Sequence, residues 1–589
     1  MWDNEPCRAA CPVHTDAGAY VTAIANGQFE DAYRIAREPN PFPSICGRVC
    51  AAPCETSCRR GSIDSPISIR ALKRFVTEKF GVESMGGTAL WHEAHGPIPT
   101  ESLGSVGIIG GGVGGLSAAH DLRRLGYSVT VYEAGALLGG MAVYGIPEYR
   151  LPRELIAQEI AAIVEMGVDV ELNCRVGVDV LMSDLIEKHD AMFVCAGAWQ
   201  ARGLDIPGAN TDGVLKAVEF LLNVNKGMKV DLGERVVIVG GGNVAFDAAR
   251  TALRAMAHGE VQEAPSHSGS SIGQDPVRDL TTTLDVARAV KNAGVRHVTV
   301  IALESAGELP AALEEVHEAA LEGITLLHRR GPRRVVGDGR VTGLETIDVV
   351  SVFDDQHRFS PVFADGTEKI IEADSIILAV GQAADTSFIP EDMAVERTRA
   401  GGISVNAELR SSHPKIWAGG DIAFGPRNLI DAISDGQRAA TSIHNVLSGT
   451  STAIKEVRVK LVHKPNFRRV DSEYDELARV AIPGLEADRR IGFTEVEIGY
   501  DEESAMREGF RCLQCFDNIV LKPELCILCG LCVDVCPNHC ISIVRADHIG
   551  VGQESQSALV LDESVCIRCG LCVNRCPPAA LVMVHAKEI

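Results

Sequence analysis

The chain has 589 residues, a formal net charge of −23, 46% hydrophobic and 23% charged residues. So acidic a balance argues against nucleic acid and against anionic membrane surfaces, both of which recruit basic proteins. No apolar run approaches the roughly 20 residues of a membrane helix and no apolar leader opens the chain, so the 19 cysteines read as metal ligands in a reducing cytoplasm, not as a disulfide framework.

Residues 1–100 form a cysteine-rich helical opening. Cys7, Cys11, Cys46, Cys50, Cys54 and Cys58 lie among helix-like stretches, at 17–37 and 69–80, broken by Pro39, Pro41 and Pro43.

Residues 101–232 then begin with a buried strand, a glycine turn and a helix. The turn carries Gly110, Gly112 and Gly115, and a second strand ends at Glu133, eighteen residues beyond Gly115. That is the layout of a dinucleotide-binding unit. The first glycine makes the tight turn, the second admits the pyrophosphate, the third allows close helix packing, and the acid takes the ribose hydroxyls.

Residues 233–374 repeat the pattern with Gly240, Gly242, Asn243 and Ala245. Alanine at the third glycine position is an accepted variant. Two such units in one chain suggest a flavin and a nicotinamide cofactor facing each other, the first binding FAD and the second, inserted within it, NAD(P)H. Within this unit, Ala257–Gln274 has no apolar period and reads as a flexible surface insertion. Residues 375–450 are expected to complete the FAD domain: Ser375 to Gly381 would return the chain to the FAD sheet, and Gly419-Gly420-Asp421 would bring a carboxylate to the flavin. For Asp421 alone a helix cap is the plainer reading.

A polar linker, 451–522, leads to the tail, 523–589. There Cys526-x2-Cys529-x2-Cys532-x3-Cys536-Pro537 recurs as Cys566-x2-Cys569-x2-Cys572-x3-Cys576-Pro577. This doubled run is the signature of a bacterial-type ferredoxin with two 4Fe-4S clusters, in which the cysteine beside proline reaches the other cluster. One cluster is therefore assigned Cys526, Cys529, Cys532 and Cys576, the other Cys566, Cys569, Cys572 and Cys536. The fold class expected is α/β: two nested Rossmann-like domains for FAD and NAD, a helical iron–sulfur domain before them and the ferredoxin domain after.

Gly139-Gly140, Tyr144-Gly-Ile-Pro147, Tyr149-Arg-Leu-Pro152, Gly240-Gly-Gly-Asn243 with Asp247 and Arg250, and Gly419-Gly420-Asp421 resemble the flavin-domain signature of the glutamate synthase small subunit family. The same module occurs in dihydropyrimidine dehydrogenase and in NADH-dependent ferredoxin:NADP oxidoreductases. Cys50-Ala-Ala-Pro-Cys54-Glu-Thr-Ser-Cys58 is similar to that family's cluster-binding domain. The resemblance spans roughly residues 5–515, and Gly140, Gly381, Gly420 and Asp421 are taken as candidate cofactor-binding residues.

Two departures follow. The family carries an Arg-Cys-Leu-x-Cys pair just ahead of its first cysteines; here the pair stands far away, as Arg511-Cys512-Leu-Gln-Cys515. The resemblance implies that it folds back beside Cys7, so that one cluster takes Cys512, Cys515, Cys7 and Cys58 and another Cys11, Cys50 and Cys54. The family's Gln or Glu for the fourth ligand of that second cluster corresponds to Lys73, which cannot ligate as an ammonium; Cys46 is a possible substitute, or a buried thiol. Second, NADPH-using relatives carry Tyr-Arg-Arg where this chain has Ala302-Leu-Glu304. Glu304 favours a free 2′-hydroxyl, hence NADH, although Arg329 or Arg330 could serve a phosphate.

The expected cofactors are FAD, NAD and four 4Fe-4S clusters. Hydride transfer needs no side-chain acid or base, so no catalytic residue is assigned. Cys174 and Cys195 are isolated and read as core thiols. The chain is expected to be the NADH-handling subunit of a hetero-oligomeric redox complex, with a catalytic partner subunit or a ferredoxin as electron partner. The alternatives are a stand-alone NAD(P)H:ferredoxin or acceptor reductase, or a protein with the ammonia-assimilating role of the glutamate synthase small subunit.

Overall fold

A computed structural model describes residues 5–94, 96–254, 294–450, 459–463, 477–551 and 556–588. The segment 257–274 lies outside the described residues.

The N-terminal part is helical. Helix Ala17–Ala25 starts at Asp16, whose carboxylate accepts from the Ala19 N–H at 2.8 Å and so satisfies one of the free donors of the first turn. Tyr20, Val21 and Ile24 from it pack with Tyr33 and Ala36, and with Leu72, Phe75 and Val76 of helix Ile69–Phe80. Tyr500 and Ala505 join the same core, so helix Glu502–Phe510, over 400 residues away, is part of this unit.

Two five-stranded parallel sheets follow. The first has the order 416–418, 191–194, 105–109, 128–132, 169–171. Its strands 191–194 and 416–418 are buried on both faces, as strands of a covered parallel sheet are, whereas the edge strand Asp169–Glu171 exposes its two acids. Helices Val113–Arg124 and Leu429–Ser448 cover one side, with Ser117 Oγ donating to the Ile433 carbonyl at 3.0 Å.

The second sheet has the order 214–216, 375–378, 235–239, 297–301, 325–327. Strand Ser375–Leu378 thus lies between Val214–Lys216 and Arg235–Val239, in the second sheet, so the expected return to the first sheet at 375 and the expected boundary at 232/233 are both corrected. The strand that returns is Ile416–Ala418, paired with Met192–Val194. All four residues of 375–378 are buried; such a strand fits the middle of either sheet, and an apolar run does not say which. A three-stranded antiparallel meander, Arg330–Val336, Gly343–Phe353 and Phe359–Glu372, is inserted beyond the second sheet.

Among the described residues the tail is built on one three-stranded and one two-stranded antiparallel sheet. Asp517–Leu521 pairs with the chain's last strand, Leu581–Glu588, and Ile541–Arg545 pairs with Ser557–Leu561. The last strand also pairs with Val459–His463, so the expected linker supplies an edge strand to the tail.

Candidate functional site

Both glycine turns open onto one cavity of about 1060 Å³. Gly110, Gly112, Glu133 and Gly140 line it from the first sheet, with Gly420 and Asp421, and Gly240, Gly242, Asn243 and Glu304 from the second, with Gly381. Gly115 and Ala245 lie behind the turns. A Cβ on Gly115 would sit 2.0 Å from the Gly110 carbonyl oxygen, so only glycine lets the helix approach the strand there. Ala245 is fully buried in helix Asn243–Arg254.

Each turn has an acid beside it. The Glu133 carboxylate accepts from the Gly111 N–H at 2.8 Å and the Gly135 N–H at 2.6 Å. Across the cavity, a Cβ on Gly241 would lie 2.8 Å from a Glu304 carboxylate oxygen, which puts that acid against the second turn. Arg330 also lines the cavity, but pairs with Asp348; Arg329 pairs with Glu308 at 2.7 Å. Asn243 is committed to the protein, its Oδ1 accepting from the Ala312 N–H at 2.8 Å.

In the half of the cavity built on the first sheet, Asp421 accepts from the Arg427 N–H at 3.1 Å, and burial pushes its carboxyl up to about 6. Asp435, which sequence reasoning missed, accepts from the Gly420 N–H at 2.9 Å and pairs with Arg427. A lone Asp inside a helix offers no signal for this. Cys195 is buried against Gly114 and Gly420, without a neighbouring cysteine in the cavity wall.

The two sheets are clamped together. Arg150 bonds Asp247 and Glu315, each at 2.7 Å, and Arg250 bonds Glu315 at 2.8 Å. Arg150, Asp247 and Arg250 belong to the family-like motifs at 149–152 and 240–250, and Glu315 is their shared partner from helix Leu313–Leu321. Their place is structural: they fix how the two halves of the cavity face each other.

The cysteines gather in groups. Cys7, Cys58, Cys512 and Cys515 line one small cavity, together with Phe516 and Ile69. Burial, first, and then Cys512, Cys515 and Cys58 push the Cys7 thiol well above its ordinary value. Cys526, Cys529, Cys532 and Cys576 line another, which brings the cysteine beside Pro577 across to the first motif. Cys536 joins the second motif: burial, then Cys569, Cys566 and Cys536, push the Cys572 thiol up to about 12. Among the described residues no three His, Cys, Asp or Glu side chains converge as a mononuclear metal site requires. Crowded thiols around a gap instead suit a wider, cationic iron core, which offsets their mutual repulsion.

Cys54 is near Cys50 and Cys11, and Lys73 is the cation common to Cys46, Cys50 and Cys54. Lys73 is buried, with Nζ 5.7 Å from the Tyr20 ring centre. Cys46, 1% exposed, sits behind Cys50, and their hydrogen bond brings the Cys50 thiol down to about 7. Cys540, which sequence reasoning passed over, is buried with Sγ 3.3 Å from Cys536 Sγ.

Comparison with known proteins places these parts in families. Residues 104–436 match the model described as pyridine nucleotide-disulphide oxidoreductase, residues 2–85 that of dihydropyrimidine dehydrogenase domain II, 4Fe-4S cluster, and residues 525–580 that of a 4Fe-4S dicluster domain. The chain is 36% identical to the NADP(+)-dependent formate dehydrogenase subunit beta of Moorella thermoacetica, over 87% of this chain and 70% of that protein. It is 31% identical to the NADPH-Fe(3+) oxidoreductase subunit beta of Geobacter sulfurreducens, over 87% and 75%. It is also 31% identical to the NAD-dependent dihydropyrimidine dehydrogenase subunit PreT of Escherichia coli, over 76% and 92%.

Proposed function

Because the chain belongs to the pyridine nucleotide-disulphide oxidoreductase family, with iron–sulfur domains at both ends, we propose that it moves electrons between NADH and four 4Fe-4S clusters by way of FAD, as the nicotinamide-handling subunit of a larger redox complex. The observation that carries this reading is the single cavity lined by both glycine turns.

NADH supplies a hydride, FAD takes up the electron pair, and the clusters carry electrons singly. The chain's own residues hold and orient. Gly110, Gly112 and the start of helix Val113–Arg124 would seat the FAD pyrophosphate, with Glu133 on the ribose and Asp421 and Gly420 toward the flavin. Gly240, Gly242 and helix Asn243–Arg254 would seat the nicotinamide coenzyme. The Arg150–Asp247 clamp keeps the two seats opposed, so that rings held there would face each other, a transfer that needs no side-chain acid or base.

The relatives' names include both NAD-dependent and NADP-dependent proteins, so coenzyme choice rests on this chain's own residues. Glu304 beside the second turn would accept from the ribose diol of NADH and repel a 2′-phosphate. Arg329 and Arg330 pair with Glu308 and Asp348 but each keeps one buried guanidinium nitrogen without a hydrogen bond among the described residues, so the preference for NADH rests on Glu304. The subunit names of these relatives support a hetero-oligomer with a catalytic partner, and the tail supports exchange with a partner subunit or a ferredoxin.

The test is anaerobic stopped flow on the native protein. Flavin bleaching by NADH faster than by NADPH, followed by cluster reduction, is the expected result. Bleaching by neither coenzyme would overturn the reading, and faster bleaching by NADPH would reverse the coenzyme assignment.

A further inference from the structure

The two cysteine motifs of the tail are near copies in sequence, but not in surroundings. In the first, Ile527 is 67% and Leu528 39% exposed, and Cys529 faces solvent. In the second, the equivalent Ile567 is 5% and Arg568 0% exposed, and Cys569 is partly covered. Cys566 is buried, whereas its counterpart Cys526 is not. Two loops of equal length and nearly equal sequence thus differ in one respect: one is at the surface and the other is inside.

The stretch leading into the inner loop lies within electrostatic reach of Arg59. Asp562, four residues ahead of Cys566, has its carboxyl held down first by Ser564 and also by Arg59, and Arg59 follows Cys58. The Arg568 guanidinium fits such a place. None of its three side-chain nitrogens has a hydrogen-bond partner among the described residues, and a Glu563 oxygen lies 3.9 Å away. A fully buried cation is costly unless negative charge is near. A thiolate-held cluster supplies that charge; a leucine, as at Leu528, would not need it.

We propose that the tail works in a set order: the site of Cys566, Cys569, Cys572 and Cys536 exchanges electrons with the N-terminal cysteine sites, and the site of Cys526, Cys529, Cys532 and Cys576 exchanges them with a one-electron carrier protein outside. Each NADH oxidised to NAD⁺ and a proton yields two electrons, which pass one at a time and leave on two oxidised carriers. The inference rests on the iron–sulfur reading of the tail given above.

The test uses the full-length, cluster-loaded chain and its Cys529→Ser and Cys569→Ser variants. Each is mixed anaerobically with NADH, frozen within the first turnover and examined by paramagnetic resonance, with iron counted in parallel. Cys529→Ser should leave reduction of the remaining tail cluster at its normal rate. Cys569→Ser should slow reduction of the Cys526 cluster at least about tenfold. The reverse pattern, or equal effects, overturns the order. A tail that binds no iron in the unmutated chain would instead overturn the cofactor reading.

Should either variant lose both tail clusters, the unmutated protein still decides. Backbone amides of residues 566–570 should exchange with deuterium far more slowly than those of 526–530, and a soluble dysprosium chelate should speed relaxation of one tail cluster much more than the other. Equal exchange and equal relaxation would refute the assignment.

Discussion

Arg511 donates to the Glu508 carboxylate at 2.6 Å, and neither side chain has exposed surface. Arg511 also reaches Asp64 at 3.0 Å and the Ser65 carbonyl at 2.7 Å. Glu508 accepts from the N–H groups of Ser68 and Val480 at 2.9 and 2.8 Å. One buried pair therefore holds Cys512, the next residue, against the stretch that follows Cys58. Removing Glu508 leaves Arg511 paired with Asp64 but takes the acceptor from the Ser68 and Val480 N–H groups, at about 1–3 kcal/mol for each donor left unsatisfied. Glu508→Ala should lower the urea midpoint accordingly and release iron from the N-terminal half. An unchanged midpoint and full iron would show that the pair does not hold the two ends together.

The grouping of Cys7, Cys58, Cys512 and Cys515 around one gap predicts a selective loss. Changing Cys512 and Cys515 together to Ser should remove one cluster, about four of some sixteen irons, and leave the tail's paramagnetic signals in place. Iron analysis and spectra of the reduced protein check this. Full iron content would exclude the pair as ligands.

Glu304 bears on the coenzyme. Losing a hydrogen bond to a charged acceptor costs about 1.5–3 kcal/mol, or about 10- to 150-fold in affinity. Glu304→Ala should narrow the preference for NADH by that order, chiefly by weakening NADH. Rates of flavin reduction at a series of NADH and NADPH concentrations measure it. A variant with the same preference as the parent would clear Glu304 of the role.

Acid should weaken the nicotinamide half through Glu322. Burial alone would raise its carboxyl, but Arg254 and Arg250 outweigh burial and hold it at about 2, below its ordinary 4.5. A depressed acid contributes stability above its unfolded value that is lost as pH falls through the folded one. The contribution is about 2–3 kcal/mol at neutral pH and shrinks below about pH 4.5. Glu322→Gln should remove it, so urea midpoints of parent and variant should differ at pH 7 and converge toward pH 3. A constant gap across that range would assign the stability elsewhere.

Much of this was legible because the chemistry repeats at short range. A glycine turn between an apolar strand and a helix, or cysteines three apart, declares itself within a dozen residues. Glu133 and Glu304 both stand at their turns because strand length sets where the acid falls. What depended on long range was harder. Strand Ser375–Leu378 joined the second sheet, since four buried positions fit either one. Asp435 and Arg427 gave no local sign of supporting Gly420. The position of Lys73 among Cys46, Cys50 and Cys54 was legible only as a departure from a family pattern; neither periodicity nor propensity marks a lysine that faces thiols.

Strand Asp517–Leu521 begins two residues after Cys515. The residue between them, Phe516, is wedged in place: its ring is 3.2 Å from where a Cβ on Gly18 would be and packs edge-on to His585 at 5.4 Å. Electron carriers that deliver by swinging on a flexible arm need slack in the tether, and their turnover slows in a thick solvent. This tail has none to draw on. Its internal electron transfer should behave as conduction through a solid joint, at the same rate in glycerol as in buffer, and only the encounter with the outside carrier should feel the drag.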